Sequence, residues 1–173
     1  VPFGSPFSTL YYLEFLGEVD QTDQMLDVIR DRWGSMMDEQ TTTFWESFAT
    51  GNLGGDDYPT RSYCHAWSAG AAYVLSRYTL GVELLDAGGT EIRIRPALDS
   101  LDSASGVVPL LGGDVRVSWT TSADEVKHVE VAVAGDVAAE FVIADGYRVS
   151  NENIDSVKVT ADKPLTIELQ RQP

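Results

Sequence analysis

The sequence of 173 residues contains a single cysteine, Cys64, and only two histidines, His65 and His128. No internal disulfide can form, so secretion is neither required nor excluded. The histidines are far apart in the chain and no His/Cys cluster exists, so neither a metal site nor a cofactor is expected. Basic residues are scarce as well: 12 Lys and Arg stand against 27 Asp and Glu, a net charge of −15. That balance leaves no basic patch to neutralise phosphates and argues against nucleic-acid partners. It disfavours an anionic membrane surface, and no apolar run approaches a membrane-spanning length. The acidity reads first as a solvated surface. A phosphate cradle is missing too, because Gly51-Asn52-Leu53-Gly54-Gly55 follows no strand and is not completed by Lys. No signal-peptide pattern is visible, and Val1-Pro2-Phe3-Gly4-Ser5-Pro6 does not read as a natural start.

What is present changes character near Leu84. Before it the pattern is helical. Pro6 to Val19 predicts a first helix with Tyr12, Phe15, Leu16 and Val19 on one apolar face. Asp23 to Asp38 predicts a second, with Thr22 as N-cap and a stripe of Met25, Leu26, Ile29, Trp33, Met36 and Met37; Gly34 is expected to bend or end it early. A third helix is expected from Ser62 to Leu80, closed by Gly81 at the C′ position. After Leu84 the residues alternate and valine is frequent. Strands are expected at Thr90–Arg95, Gly106–Leu110, Asp114–Trp119 and Val126–Val133, then near 138–143, 147–149, 156–159 and 165–169. Gly112-Gly113 marks a hairpin. The expected fold class is α+β: a helical fragment over residues 1–84, then an antiparallel β-sandwich over 85–173.

Two stretches carry the chemistry. Thr42-Thr43-Phe44-Trp45-Glu46 places a carboxylate among aromatics, and Ser62-Tyr63-Cys64-His65-Ala66-Trp67-Ser68-Ala69-Gly70 opens the third helix with His and Trp. A carboxylate can act as a general acid or base, and aromatic rings pack on the C–H faces of sugars. Each residue also has a structural reading. Glu46 could be a solvated loop charge, His65 a hydrogen-bonded core residue, and Trp45 and Trp67 core aromatics. Trp45 is assigned here to a pocket wall and Trp67 to the core. Trp33 and Trp119 read as structural, and Cys64 as a small core residue in an apolar helical run. Thr41-Thr42-Thr43 can hold the Glu46 loop through side-chain hydrogen bonds. Asp56 and Asp57 read as a solvated acidic loop without EF-hand spacing.

In order and spacing, these stretches resemble the C-terminal part of an inverting α-L-rhamnosidase of glycoside hydrolase family 78. The resemblance continues through Leu75-Ser76-Arg77-Tyr78, Leu80-Gly81, Ile92-Arg93-Ile94-Arg95-Pro96, Ala104-Ser105-Gly106-Val107-Val108-Pro109 and Gly113-Asp114-Val115-Arg116-Val117-Ser118-Trp119. It implies the last helices of an (α/α)6 catalytic barrel followed by a C-terminal β-sandwich. It also implies hydrolysis of a terminal α-L-rhamnoside with inversion, by two carboxyl groups on the order of 6.5–9.5 Å apart. Glu46 falls at the place of the general base, His65 at that of a sugar-contacting histidine, and Trp45 and Trp67 beside them as substrate-binding candidates. The general acid would lie upstream of this chain, so the isolated chain should be inactive. A truncated barrel would expose apolar helix faces and could self-associate. Bacterial cytoplasm and a secreted or periplasmic location both stay open. Two rival readings remain: another (α/α)6 glycosidase, or a stand-alone carbohydrate-binding or interaction module using Trp119 and Tyr147.

Overall fold

A computed structural model describes residues 5–38, 42–48, 62–149, 152 and 154–172. Among them are three α-helices and nine strands, and the chain divides into two compact units, Val1–Leu75 and Ser76–Pro173. The fold class is α+β, a helical fragment plus a β-sandwich, as the sequence predicts.

The helical unit opens with α1 (Pro6–Glu18). Ser5 caps it by accepting from the Ser8 amide, and Pro6 occupies the first turn, where its missing N–H costs nothing. The buried side consists of Pro6, Thr9, Leu13, Leu16 and Gly17. Of the four residues predicted to form the inward face, only Leu16 is buried; Phe15 is 58% and Val19 45% exposed. The reason is packing distance. Gly70, at the start of α3 (Gly70–Val74), lies so close to Leu10 that an added Cβ would meet its side chain at 2.9 Å. The helix therefore turns its smaller residues inward. Phe7, Tyr11, Phe15 and Val19, four residues apart, form an exposed apolar stripe.

Helix α2 (Thr22–Asp38) buries Met25, Leu26, Trp33 and Met36, most of the predicted stripe, while Met37 is exposed. Gly34 does not interrupt it, and Thr22 is its first helical residue rather than its cap. The third helix differs more. Residues 62–65 are not helical, Ala66–Ala69 form a 3₁₀ turn, α3 follows, and Leu75–Thr79 continue as a π turn.

The second unit contains β1 (Val82–Leu84), β2 (Glu91–Ile94), β3 (Ser103–Leu110), β4 (Gly113–Thr121), β5 (Lys127–Gly135), β6 (Ala138–Val142), β7 (Tyr147–Val149), β8 (Ser156–Val159) and β9 (Leu165–Arg171). They form two sheets, ordered β1-β2-β6-β8 and β3-β4-β5-β9-β7. Every pairing is antiparallel except β2–β6. That parallel pair requires a long crossover, which the chain supplies by running through β3–β5 of the other sheet. Alternation is clearest in β4 and β5. Val115, Val117 and Trp119 face Val133, Val131 and Val129 in register, and all six are buried. Ile92, Ile94, Ala139, Phe141 and Val159 complete the core from the other sheet. Short β1 was not predicted: its residues fall where the sequence pattern passes from helical to alternating. Asp86 closes the β1–β2 connection by accepting from the amides of Gly88, Thr90 and Glu91. These bonds, the one from Glu91 foremost, hold its carboxyl below the usual range despite the opposing effect of desolvation.

Gly81 occupies the predicted C′ position with φ +74, and a Cβ there would stand 2.0 Å from the Arg95 carbonyl oxygen. At Gly146, φ is +80 but nothing lies within 4 Å. Gly146→Ala is therefore expected to cost only the left-handed penalty of about 1–2 kcal/mol. Gly81→Ala should cost clearly more, because the strand contact through Arg95 must also move; urea unfolding of the two variants measures the difference.

One polar cluster ties distant segments together. Asp99 accepts from Tyr147 Oη at 2.5 Å and from the Arg171 guanidinium at 2.6 Å. Desolvation pushes the Asp99 carboxyl up, but Tyr147 and Arg171 outweigh it and its net shift is downward. Tyr147 is pushed up to about 12, by desolvation first and then by Asp99. The signs follow from proton linkage. The depressed carboxyl contributes stability above its ordinary value near about 4, lost as pH falls through the folded value. The raised phenol contributes stability below its ordinary value of 10.0, lost as pH rises towards about 12. Asp99→Asn should therefore flatten the stability–pH curve at both ends relative to the unaltered chain, measured by urea midpoints across pH 2–4 and 10–12.

Candidate active site

The loop bearing Glu46 and the turn bearing His65 are joined by backbone hydrogen bonds. The His65 amide donates to the Phe44 carbonyl at 2.8 Å, and the Glu46 amide donates to the Ser62 carbonyl at 2.9 Å. Two non-helical segments are thus tied side by side, and the third helix cannot begin at Ser62 because the chain is already committed to this pairing. The Thr43 hydroxyl adds a bond to the Tyr63 carbonyl, the holding role predicted for the threonine run. Thr41, Asp56, Asp57 and the Gly51–Gly55 stretch lie outside the described residues.

Alternation along the first segment places Phe44 outward at 39% exposure and Trp45 inward at 0%. The Trp45 amide points to Met36 Sδ at 3.5 Å, and its ring meets Tyr63 edge-on at 5.3 Å. Trp67, by contrast, is 45% exposed, stacked on Phe7 at 5.1 Å and set against the His65 ring at 4.2 Å. The burial of the two indoles is the reverse of the prediction. Ser68, next to Trp67, is the inward residue of the 3₁₀ turn, so Trp67 faces out. Cys64 is likewise exposed rather than part of a helical core, because Ser62 bonds both its amide and its carbonyl in a turn before the helix.

Glu46 and His65 are both half-buried. The structure therefore brings together an anchored carboxylate loop, an imidazole and an exposed indole, a set able to act on or hold a polyhydroxylated ligand. Among the described residues no group of three or more His, Cys, Asp or Glu side chains is arranged to hold a metal ion. His128 lies in β5, 3.2 Å from Glu168. Trp33 is structural, as predicted: it is 5% exposed, and its indole N–H donates to the Ser68 carbonyl at 2.9 Å. Ser68 itself went unmarked in the sequence. The available signal was a lone hydroxyl within the small-residue run Ala66 to Ala72, where nothing but a partner elsewhere would justify its burial.

No protein-family model matches the sequence, and no match was found among curated proteins. Solved structures do match. The family 78 rhamnosidase of Bacillus sp. GL1 is 36% identical, with a TM-score of 0.71 over 83% of this chain and 15% of its own. The Streptomyces avermitilis α-L-rhamnosidase, solved with L-rhamnose, is 22% identical, with a TM-score of 0.61 over 92% of this chain and 16% of its own. The second likeness shows the fold; the first adds sequence. The chain thus spans about one-sixth of the rhamnosidases it matches. With the helical fragment, the β-sandwich and the sequence identity in agreement, the chain is a family 78-like polypeptide, the counterpart of the C-terminal part of such a rhamnosidase.

Proposed function

We propose that this chain is part of an inverting glycosidase that releases terminal α-L-rhamnose, and that Glu46 is its general base. Glu46 would take a proton from a water molecule as the water oxygen attacks the anomeric carbon. A carboxylic acid elsewhere in the polypeptide would protonate the departing glycosidic oxygen, and the configuration would invert. The two carboxyl groups need about 6.5–9.5 Å between them to admit the water. His65 would hydrogen-bond a sugar hydroxyl and Trp67 would offer its exposed face to the ring. Trp45, fully buried, would serve by shaping the wall behind Glu46. The observation that carries this reading is the backbone pairing of residues 44–46 with 62–65, which sets the Glu46 loop beside the His65–Trp67 turn.

In this reading the helical unit is the last part of an (α/α)6 barrel, and the rest of the barrel covers the α1 stripe. The chain alone would lack the acid and be inactive. Another (α/α)6 glycosidase, acting on a different sugar, uses the same carboxylate logic; a substrate panel separates the two. A binding module in the β-sandwich has less support, since Trp119 and Tyr147, the aromatics it would use, are 1% and 4% exposed.

Hydrolysis of an aryl α-L-rhamnoside by the full-length protein, beside its Glu46→Gln variant, tests the assignment. The expected loss in kcat is about 10²–10⁴-fold with the fold retained; an active parent indifferent to the substitution would remove Glu46 from the mechanism. For the isolated chain, self-association through the α1 stripe is expected, and Tyr11→Lys with Phe15→Lys should shift sedimentation towards monomer. An unchanged oligomer would assign the contact elsewhere.

A further inference from the structure

Ser68 is fully buried, at 0% exposure, in the 3₁₀ turn that follows His65. Its hydroxyl ignores its own turn and donates to the carbonyl of Trp45. That carbonyl and the Glu46 N–H belong to one peptide group. The N–H end is bound to the Ser62 carbonyl at 2.9 Å. Both polar ends of the Trp45–Glu46 peptide are therefore held, which fixes the peptide plane and with it the N–Cα bond of Glu46, the axis from which its side chain departs. Ser68 is itself anchored. Its amide donates to the His65 carbonyl at 3.1 Å, and its carbonyl accepts from the Trp33 indole at 2.9 Å.

We propose that Ser68 is a positioning residue for Glu46: it transmits the rigid packing of α2, through Trp33, to the peptide that aims the carboxylate. This rests on the reading of Glu46 as general base. A bare structural role would be met by any buried hydrogen bond. Here the bond ends on the peptide group that leads into Glu46, whose rotation would swing the carboxylate, and a displacement of about 1 Å at a reacting group can cost about 10²-fold in rate.

The test uses the full-length enzyme with Ser68→Ala, Ser68→Cys, Glu46→Gln and the double variants, assayed well below their unfolding temperatures. Ser68→Ala should lower kcat by about 10–100-fold with KM changed less than about 3-fold, because the base is misplaced while the sugar contacts remain. Ser68→Cys, close in size but a weaker donor, should fall between. In the Glu46→Gln background either serine substitution should have almost no further effect, since the group it acts through is gone. Should Ser68→Ala fail to fold, Ser68→Cys alone and with Glu46→Gln decides by the same criteria. A wild-type kcat in the folded serine variants, with Glu46→Gln inactive, would overturn the proposal and leave the base in place. An equal loss in the presence and absence of Glu46 would overturn it too. A Glu46→Gln enzyme with full activity would remove the base, and this role of Ser68 with it.

Discussion

The short backbone pairing between residues 44–46 and 62–65 is the constraint on which the helical unit's chemistry depends. Two N–H···O bonds are modest in net energy, about 0.5–1.5 kcal/mol each, but they commit main-chain groups that a helix would otherwise use. With the His65 amide given to Phe44, helical structure starts only at Ala66. The inward and outward sides of both segments are then set by geometry alone. Trp45 turns in while Phe44 turns out, and Ser68 turns in while Trp67 turns out. The His65 imidazole is set against the indole of Trp67.

This explains which parts were legible in the sequence. The strands were, because β4 and β5 alternate valine with polar residues over a length sufficient to show the period. The stripe of α2 was, because its apolar residues lie on one side. The inward side of α1 was not. Apolar residues occur on both sides of that helix, and the choice between them was made by Gly70 approaching Leu10 in a later segment. The parallel β2–β6 pairing was equally hidden, since nothing local to either strand records its partner.

At the candidate site, residue types and spacing marked Glu46, His65 and the two tryptophans. Their arrangement was not readable, because it rests on main-chain hydrogen bonds that any residue types could make. A tryptophan beside a carboxylate invites assignment to a pocket wall. The backbone bonds that tie down the segment override that preference, and the indole is buried. Side-chain identity thus proposed the chemistry, and backbone accounting decided which face each group presents.

The sheet order β3-β4-β5-β9-β7 has a consequence in time as well as in space. Among the described residues, strand β7 joins the sheet through β9, by the pairs Tyr147–Arg171, Arg148–Gln170 and Val149–Leu169, and β9 also covers the open side of β5. On a ribosome, β3, β4 and β5 can zip as successive hairpins while β5 keeps one bare edge and β7 waits unpaired. Both vacancies are filled by one event, the arrival of residues 165–171. Such an insertion raises contact order and slows closure, and until it happens the nascent sheet presents an edge to other chains.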